Sequence, residues 1–253
     1  MRWPSDLWLT YRRAMIERVR VPAWVAVSLA QPLLYLFLFG PLLKNLGSAP
    51  VSSGTSVYDL FVPGLLVLMA YFVAGGAGFG LLEELAAGVI ERLRVTPLSR
   101  TALVLGPAGR DMTAIAVQSV ILLAIGELTG LHVDWGGALI AVVMVCVLAL
   151  ALSCLSNTVA LSMGSANGFA ALFNGLSIPV LLLSGVLLPL SLAPAWLNDL
   201  SYMNPLRYAV DAARSLVAGN IQTFDVARGL AVTAGFAIFA VAISVQHFRH
   251  AEA

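Results

Sequence analysis

Six stretches of this chain, at 23–43, 58–82, 102–130, 137–157, 169–190 and 227–247, are apolar enough and long enough to cross a bilayer. About 20 helical residues span the roughly 30 Å of hydrocarbon in a bilayer. Backbone N–H and C=O groups in lipid must find partners inside their own segment, so the spans have to be helices. The expected class is therefore all-α: a polytopic membrane protein with six transmembrane helices. Composition agrees, with 60% hydrophobic and 11% charged residues and a mean hydropathy of +0.92, whereas soluble domains carry about a quarter charged residues. A net charge of +1 offers no basic excess for nucleic acid. The first apolar run is longer than the h-region of a signal peptide and follows a charged segment, so it is read as a retained span.

Arginine placement sets the orientation. Arg2, Arg12, Arg13, Arg18 and Arg20 precede the first span, and Arg92, Arg94, Arg100 and Arg110 lie between or beside the second and third. Arg249 sits in the tail, while 44–57 holds only Lys44 and 131–136 has no lysine or arginine. The excess predicts a multi-pass cell-membrane protein with both termini cytoplasmic. Two places fit less well: the connection 158–168 is uncharged, and Arg207 and Arg214 fall in an outer connection. Pro32 and Pro63 are candidate kinks in the first two spans.

The segments outside the spans carry their own patterns. Within 1–20, Trp3, Leu7, Trp8, Tyr11, Met15 and Val19 share one side of a helix, with Asp6, Arg12, Arg13, Glu17 and Arg20 mostly opposite. Leu9 and Arg18 break the pattern, Arg18 being able to snorkel. Such a helix suits the headgroup layer; packing on a soluble partner is the alternative. The stretch 83–100, EELAAGVIERLRVTPLSR, concentrates Glu83, Glu84, Glu91, Arg92, Arg94 and Arg100 in a short helix ending at Thr96-Pro97. Both charge signs in one connection offer a docking surface for a cytoplasmic protein, against the plainer reading that the arginines only enforce orientation. Arg110 and Asp111 lie where unpaired charge is expensive, so the third span is expected to project into the cytoplasm before entering lipid.

Segment 191–226 is too polar to cross and too apolar for an ordinary loop. Asn204-Pro205 is a good start and Gly219-Asn220 a good stop for one helix. Leu206, Ala209, Val210, Ala213 and Val217 would share its apolar side, with Arg207, Asp211 and Arg214 recurring at four and three residues. It is expected to lie flat, half in lipid, over the outer mouth, its arginines paired with Asp211 and snorkelling.

Inside the spans, Gln31, Gln118, Glu127, Asn157, Asn167, Asn174 and Ser184 are the polar residues from which a pathway could be built. Glu127 sits near the outer end of its span, within reach of water. Gly76 to Gly80 and Gly164 to Gly168 are small-xxx-small patterns that permit close helix approach. Cys146 and Cys154, eight helical residues and thus about 12 Å apart, are too distant to bridge. There is no HExxH, CxxC or GxSxG, and His132, His247 and His250 lack ligand spacing, so no catalytic or metal residues are nominated. Lys44, the sole lysine, follows Leu43 and not a glycine, so there is no P-loop and any ATP is expected on another chain.

Two pieces are more specific: Glu84-x-x-x-Gly88-x-x-Glu91-Arg92-Leu93-x-x-x-Pro97-x-x-Arg100 after the second span, and Ser184-Gly185 through Asn204-Pro205-Leu206-Arg207-Tyr208 before the sixth. In this order they resemble the ATP-binding-cassette type-2 permeases, notably the daunorubicin-resistance-type drug exporters, and the resemblance covers nearly the whole chain. It implies one permease domain over 1–253. Residues 1–20 would be an interfacial elbow helix. A coupling helix at 83–100 (Glu83, Glu84, Gly88, Glu91, Arg92, Arg94, Pro97, Arg100) would rest on a cytoplasmic ABC ATPase subunit. Outer re-entrant or interfacial helices at 191–226 (Asn204, Pro205, Arg207, Tyr208, Asp211, Arg214) would help close the exit. It further implies two permease subunits, identical or not, among membrane lipids, with ATP and Mg on the partner ATPases and none on this chain. The activity implied is export of an amphipathic drug, natural product or lipid by alternating access, as in drug efflux and antibiotic resistance. Gly106-Pro-Ala-Gly109 departs from the regular helical sequence expected where the third span begins. A polysaccharide or glycolipid exporter is the alternative within the fold, disfavoured because this chain's aromatics are dispersed. An ion-coupled secondary transporter, from another class, would need midplane acids, for which only Glu127 is available.

Overall fold

The computed structural model describes residues 3–20, 22–45, 57–89, 100–186, 190 and 193–250. Ten helices are described and no strand occurs among these residues. They are α1 (Trp3–Val19), α2 (Pro22–Asn45), α3 (Val57–Gly75), α4 (Ala77–Ala86), α5 (Arg100–Thr129), α6 (Trp135–Met163), α7 (Ala166–Ser184), α8 (Ala195–Ser201), α9 (Pro205–Val217) and α10 (Phe224–His250). Five continuous stretches are long and apolar enough to cross a membrane: α3 with α4, then α5, α6, α7 and α10. The 24-residue α2, apolar over Val27–Leu38, coincides with the first expected span, 23–43. This is the all-α polytopic architecture expected.

Local chemistry accounts for the breaks between helices. The second span turns at Gly76, not at Pro63, which α3 carries within its helix. At Gly76 the interrupted backbone is served by Ser156 of α6, whose hydroxyl donates to the carbonyl of Gly75 and accepts from the amide of Gly78 at 2.9 Å. A helix break inside lipid is tolerated when a neighbouring side chain satisfies the freed groups in this way. Gly78 also lets α4 approach α6, since a Cβ there would lie 2.8 Å from both the Ser156 carbonyl oxygen and the Ala160 Cβ.

The uncharged connection expected at 158–168 is mostly helix. α6 continues to Met163 and stops at Gly164, whose φ of +62° only glycine adopts cheaply. Ser165 then caps α7, its hydroxyl accepting from the Gly168 amide at 3.2 Å. Gly164 and Gly168 are thus punctuation of a two-residue turn and not a helix-contact motif.

α6 is the central post, mostly buried and packed against α3, α4, α5, α9 and α10. The largest apolar cluster joins Leu65, Leu66 and Met69 of α3 to Leu122 and Leu123 of α5 and Met144 and Leu148 of α6. Cys146 and Cys154 are buried free thiols of α6. By contrast α7 stands to the side, little of it buried. The bundle has two ends. One gathers α1, the end of α4, the start of α5 and the end of α10, where Ser162 meets His247 at 3.2 Å. The other gathers α8, α9 and the start of α6, where Asp134 accepts from the Gly137 amide at 2.8 Å.

Candidate functional site

The end that holds α1 is built on a seat of small residues. α1 crosses α5 at Gly106 and Gly109; a Cβ on Gly106 would meet Thr10 Oγ1 at 2.4 Å, and one on Gly109 would meet Tyr11 at 3.2 Å. The irregular Gly106-Pro-Ala-Gly109 sequence thereby finds its reason: it lets a second helix lie against α5, which runs unbroken from Arg100 through Pro107. Thr10 donates to the Ala102 carbonyl at 2.9 Å and Tyr11 shares a 3.0 Å hydrogen bond with Thr113. Thr10 and Ala14 are buried in this contact, whereas Trp8, Leu9, Ile16 and Val19 stay exposed on the far side. The apolar face expected from the sequence is therefore divided between a protein contact and an outward apolar surface.

Arg18 does not snorkel. It enters the bundle and donates to Asp111 at 2.6 Å. Asp111, fully buried on α5, accepts also from Arg110 at 3.1 Å and from Ser153 of α6 at 2.9 Å. Burial lowers the Arg18 guanidinium's pKa, with Arg110 adding to the shift and Asp111 opposing it. The expected depth problem of Arg110 and Asp111 is solved by pairing as well as by position. In the sequence Arg18 is visible as the charge that breaks an apolar pattern; its partner Asp111, 93 residues away, is not.

Of the residues nominated at 83–100, Glu83 and Glu84 lie in the last turn of α4 and Arg100 opens α5. Gly88, in the turn after α4, has φ +66°. Glu84 pairs with Arg13 at 3.6 Å, which in turn holds Glu17 at 3.0 Å, while Glu83 is exposed. The helix expected across 83–100 thus ends at Ala86 in its first part. Glu91, Arg92, Arg94 and Pro97 lie outside the described residues.

At the opposite end, Asn204 and Pro205 start α9 as expected: the Asn204 side chain accepts from the Leu206 amide at 3.0 Å and donates to the Val180 carbonyl of α7 at 2.8 Å. Gly219, φ +80°, ends it. Leu206, Ala209, Val210, Ala213 and Val217 are all buried, with α9 packed against α3, α6 and α10. A Cβ on Gly229 of α10 would come within 2.3 Å of the Ala212 Cβ. The apolar side therefore faces protein and not lipid, which corrects the half-immersed placement.

Nor do its arginines snorkel. Arg214 donates to the carbonyls of Leu60 at 3.0 Å and Gly185 at 2.8 Å, tying α9 to α3 and to the end of α7, and burial lowers its pKa. Arg207 donates to the Asn198 carbonyl at 2.9 Å and to the Ser201 hydroxyl, and stacks 3.8 Å from the Tyr202 ring centroid. Asp211 stands between them, 3.8 Å from Arg207 and 3.7 Å from Arg214. Tyr208 donates to the Tyr202 carbonyl at 2.8 Å and accepts from Arg228 at 3.2 Å. Tyr202 and Arg228 were not singled out; their chain separation hides a cation–π cluster that only the fold closes.

The polar residues nominated for a pathway are not brought into one place. Gln118 donates to Ser28 at 2.6 Å between α5 and α2, with Gln31 half-buried on α2. Ser184 donates to the Leu181 carbonyl at 2.7 Å, Asn157 is buried on α6, Glu127 is exposed near the end of α5, and Asn167 and Asn174 are exposed on α7. The aromatics, scattered in sequence, do meet: Tyr71, Phe72, Phe79, Phe169 and Phe173 pack where α7 leans on α3 and α4, with Tyr71 and Phe173 stacked at 5.5 Å. They are consumed in helix packing.

A sequence model described as "ABC-2 type transporter" matches residues 5–217. The chain is 23% identical over 251 residues to the daunorubicin resistance ABC transporter permease protein DrrB1 of Streptomyces coeruleorubidus, covering 98% of this chain and 86% of that one. It is similar also to the transport permease ycf38 of Cyanophora paradoxa, 26% identical over 223 residues (87% of this chain, 77% of the relative). The ycf38 protein of Porphyra purpurea is 29% identical over 219 residues (84% and 74%).

Proposed function

Because the chain belongs to the ABC-2 type transporter family, we propose that it is the permease subunit of an ATP-driven exporter that moves an amphipathic drug, natural product or lipid out of the cytoplasm or inner leaflet. ATP and Mg bind and react on a separate cytoplasmic subunit. The observation that supports this most directly is the union, at one end of the bundle, of α1, the last turn of α4 and the start of α5, with Glu84 of α4 paired to Arg13 of α1. A push on the connection between α4 and α5 reaches two spans and α1 together, as coupling to an ATPase demands. In this reading Arg2, Arg12, Arg13, Arg18, Arg20, Arg92, Arg94, Arg100, Arg110 and Arg249 all fall at the cytoplasmic end, leaving Lys44, Arg207, Arg214 and Arg228 outside. Residues 191–226 form the outer cover.

A second permease subunit completes the pathway against α7. Asn174, midway along that span, is exposed, and an amide facing hydrocarbon lacks the partner that a facing subunit supplies. The test is reconstitution with the companion ATPase and measurement of daunorubicin uptake into inside-out vesicles. ATP-dependent uptake that stops when Glu91 and Arg92 are charge-reversed, with the chain still inserted, is the expected result. Uptake driven by a proton gradient without the ATPase would sink the proposal.

A further inference from the structure

Beside the Arg18–Asp111 pair lies a cavity of about 420 Å³ bordered by α1, α3, α4 and α5. Its base is cationic. Arg18 and Arg110, with side chains 13% and 17% exposed, share the single carboxylate of Asp111, and neither has another acidic partner within pairing distance among the described residues. Asp111 is further engaged by Ser153. Two part-buried guanidiniums on one carboxylate leave a positive charge that calls for an anion. Apart from Arg13, the rest of the charged lining is acidic, with Glu17, Glu83 and Glu84. Arg13 pairs with Glu17 and Glu84, Glu84 lies within electrostatic reach of Arg110 as well, and Glu83 is exposed. Val73, Ala77 and Phe79 carry the wall from the charged end of α4 back into the span.

We propose that this cavity binds the head group of an ethanolamine-type phospholipid from the leaflet at the α1 end. The phosphate meets Arg18 and Arg110, the ammonium meets the glutamate rim, and the acyl chains leave along Val73 and Phe79. The exposed Trp8, Leu9, Ile16 and Val19 of α1 set the mouth at the depth of lipid head groups. A glycerol head group would bring no cation to the rim, and a choline head group no N–H donor for its carboxylates. A soluble phosphate would satisfy the base and leave both the rim and the apolar wall unused. The assignment is independent of what the chain transports.

Native mass spectrometry of the full-length chain, titrated with ethanolamine, choline and glycerol phospholipids of matched acyl chains, tests it. The ethanolamine lipid is expected to be retained roughly tenfold better, the worth of one charge-assisted hydrogen bond. Arg110→Gln should abolish lipid retention. Glu17→Gln with Glu83→Gln, both at exposed positions, should reduce the head-group preference while the lipid still binds. The double variant decides the matter should Arg110→Gln fail to fold. Equal retention of the three lipids by the unaltered chain, an undiminished preference in the double variant, or displacement by millimolar inorganic phosphate would overturn the assignment.

Discussion

Asp111 holds three partners from three helices, and its energetics are asymmetric. Removing one member of a buried ion pair strands the other in a low-dielectric interior, at a cost of about 3–5 kcal/mol. Asp111→Ala is therefore expected to destabilise the protein by that order, and Asp111→Asn by less because it keeps an acceptor for Ser153. Thermal unfolding in detergent measures both; an unaltered midpoint in Asp111→Ala would refute the structural role. Arg214 works by reach as much as by charge, since its fork spans the carbonyls of Leu60 and Gly185. Arg214→Gln should cost about 1–3 kcal/mol by leaving buried acceptors unmet, and Arg214→Lys should recover only part. Equal unfolding midpoints for the lysine variant and the unaltered protein would show that charge alone suffices.

Helices α1 and α9 each look like surface segments in sequence and each proves to be docked. α1 is seated on glycines, so Gly106→Val should drive it off α5 at a cost of about 1–3 kcal/mol, seen as faster proteolysis within α1. Gly80→Ala, where a Cβ meets nothing within 4 Å, is the matched control and should leave cleavage unchanged. For α9 the cap is also a tether: Asn204→Ala should cost about 1 kcal/mol for the cap and more for the lost bond to Val180. A change confined to the few tenths typical of surface sites would argue that the tether carries nothing.

Across the whole molecule, α1 and the C-terminal part of α10 share one end, while Gln222 lies in the exposed turn before α10 at the other. The two native thiols are buried, so single cysteines report cleanly. Ser5→Cys and Gln222→Cys are expected to react with an impermeant thiol reagent from opposite sides, Gln222→Cys alone labelling in intact cells. Labelling of both from the same side would contradict an even number of spans.

The spans were legible because hydrocarbon imposes one rule on every backbone, and runs of apolar residues obey it whatever they pack against. Asn204-Pro205 and Gly219 marked α9 for a similar reason, since a helix end must satisfy its own orphan amides and carbonyls locally. Other features depended on residues far apart in the chain. Nothing near Arg18 announces Asp111, nothing near Gly106 announces Thr10, and Gly164 to Gly168 read equally well as a packing motif or a turn. The sequence by itself determined the class of fold, the approximate ends of its spans and the chemistry of its helix caps. Only the tertiary structure decided which surfaces face protein, which charges meet and where a cavity opens, because those depend on distances between segments that no local pattern encodes.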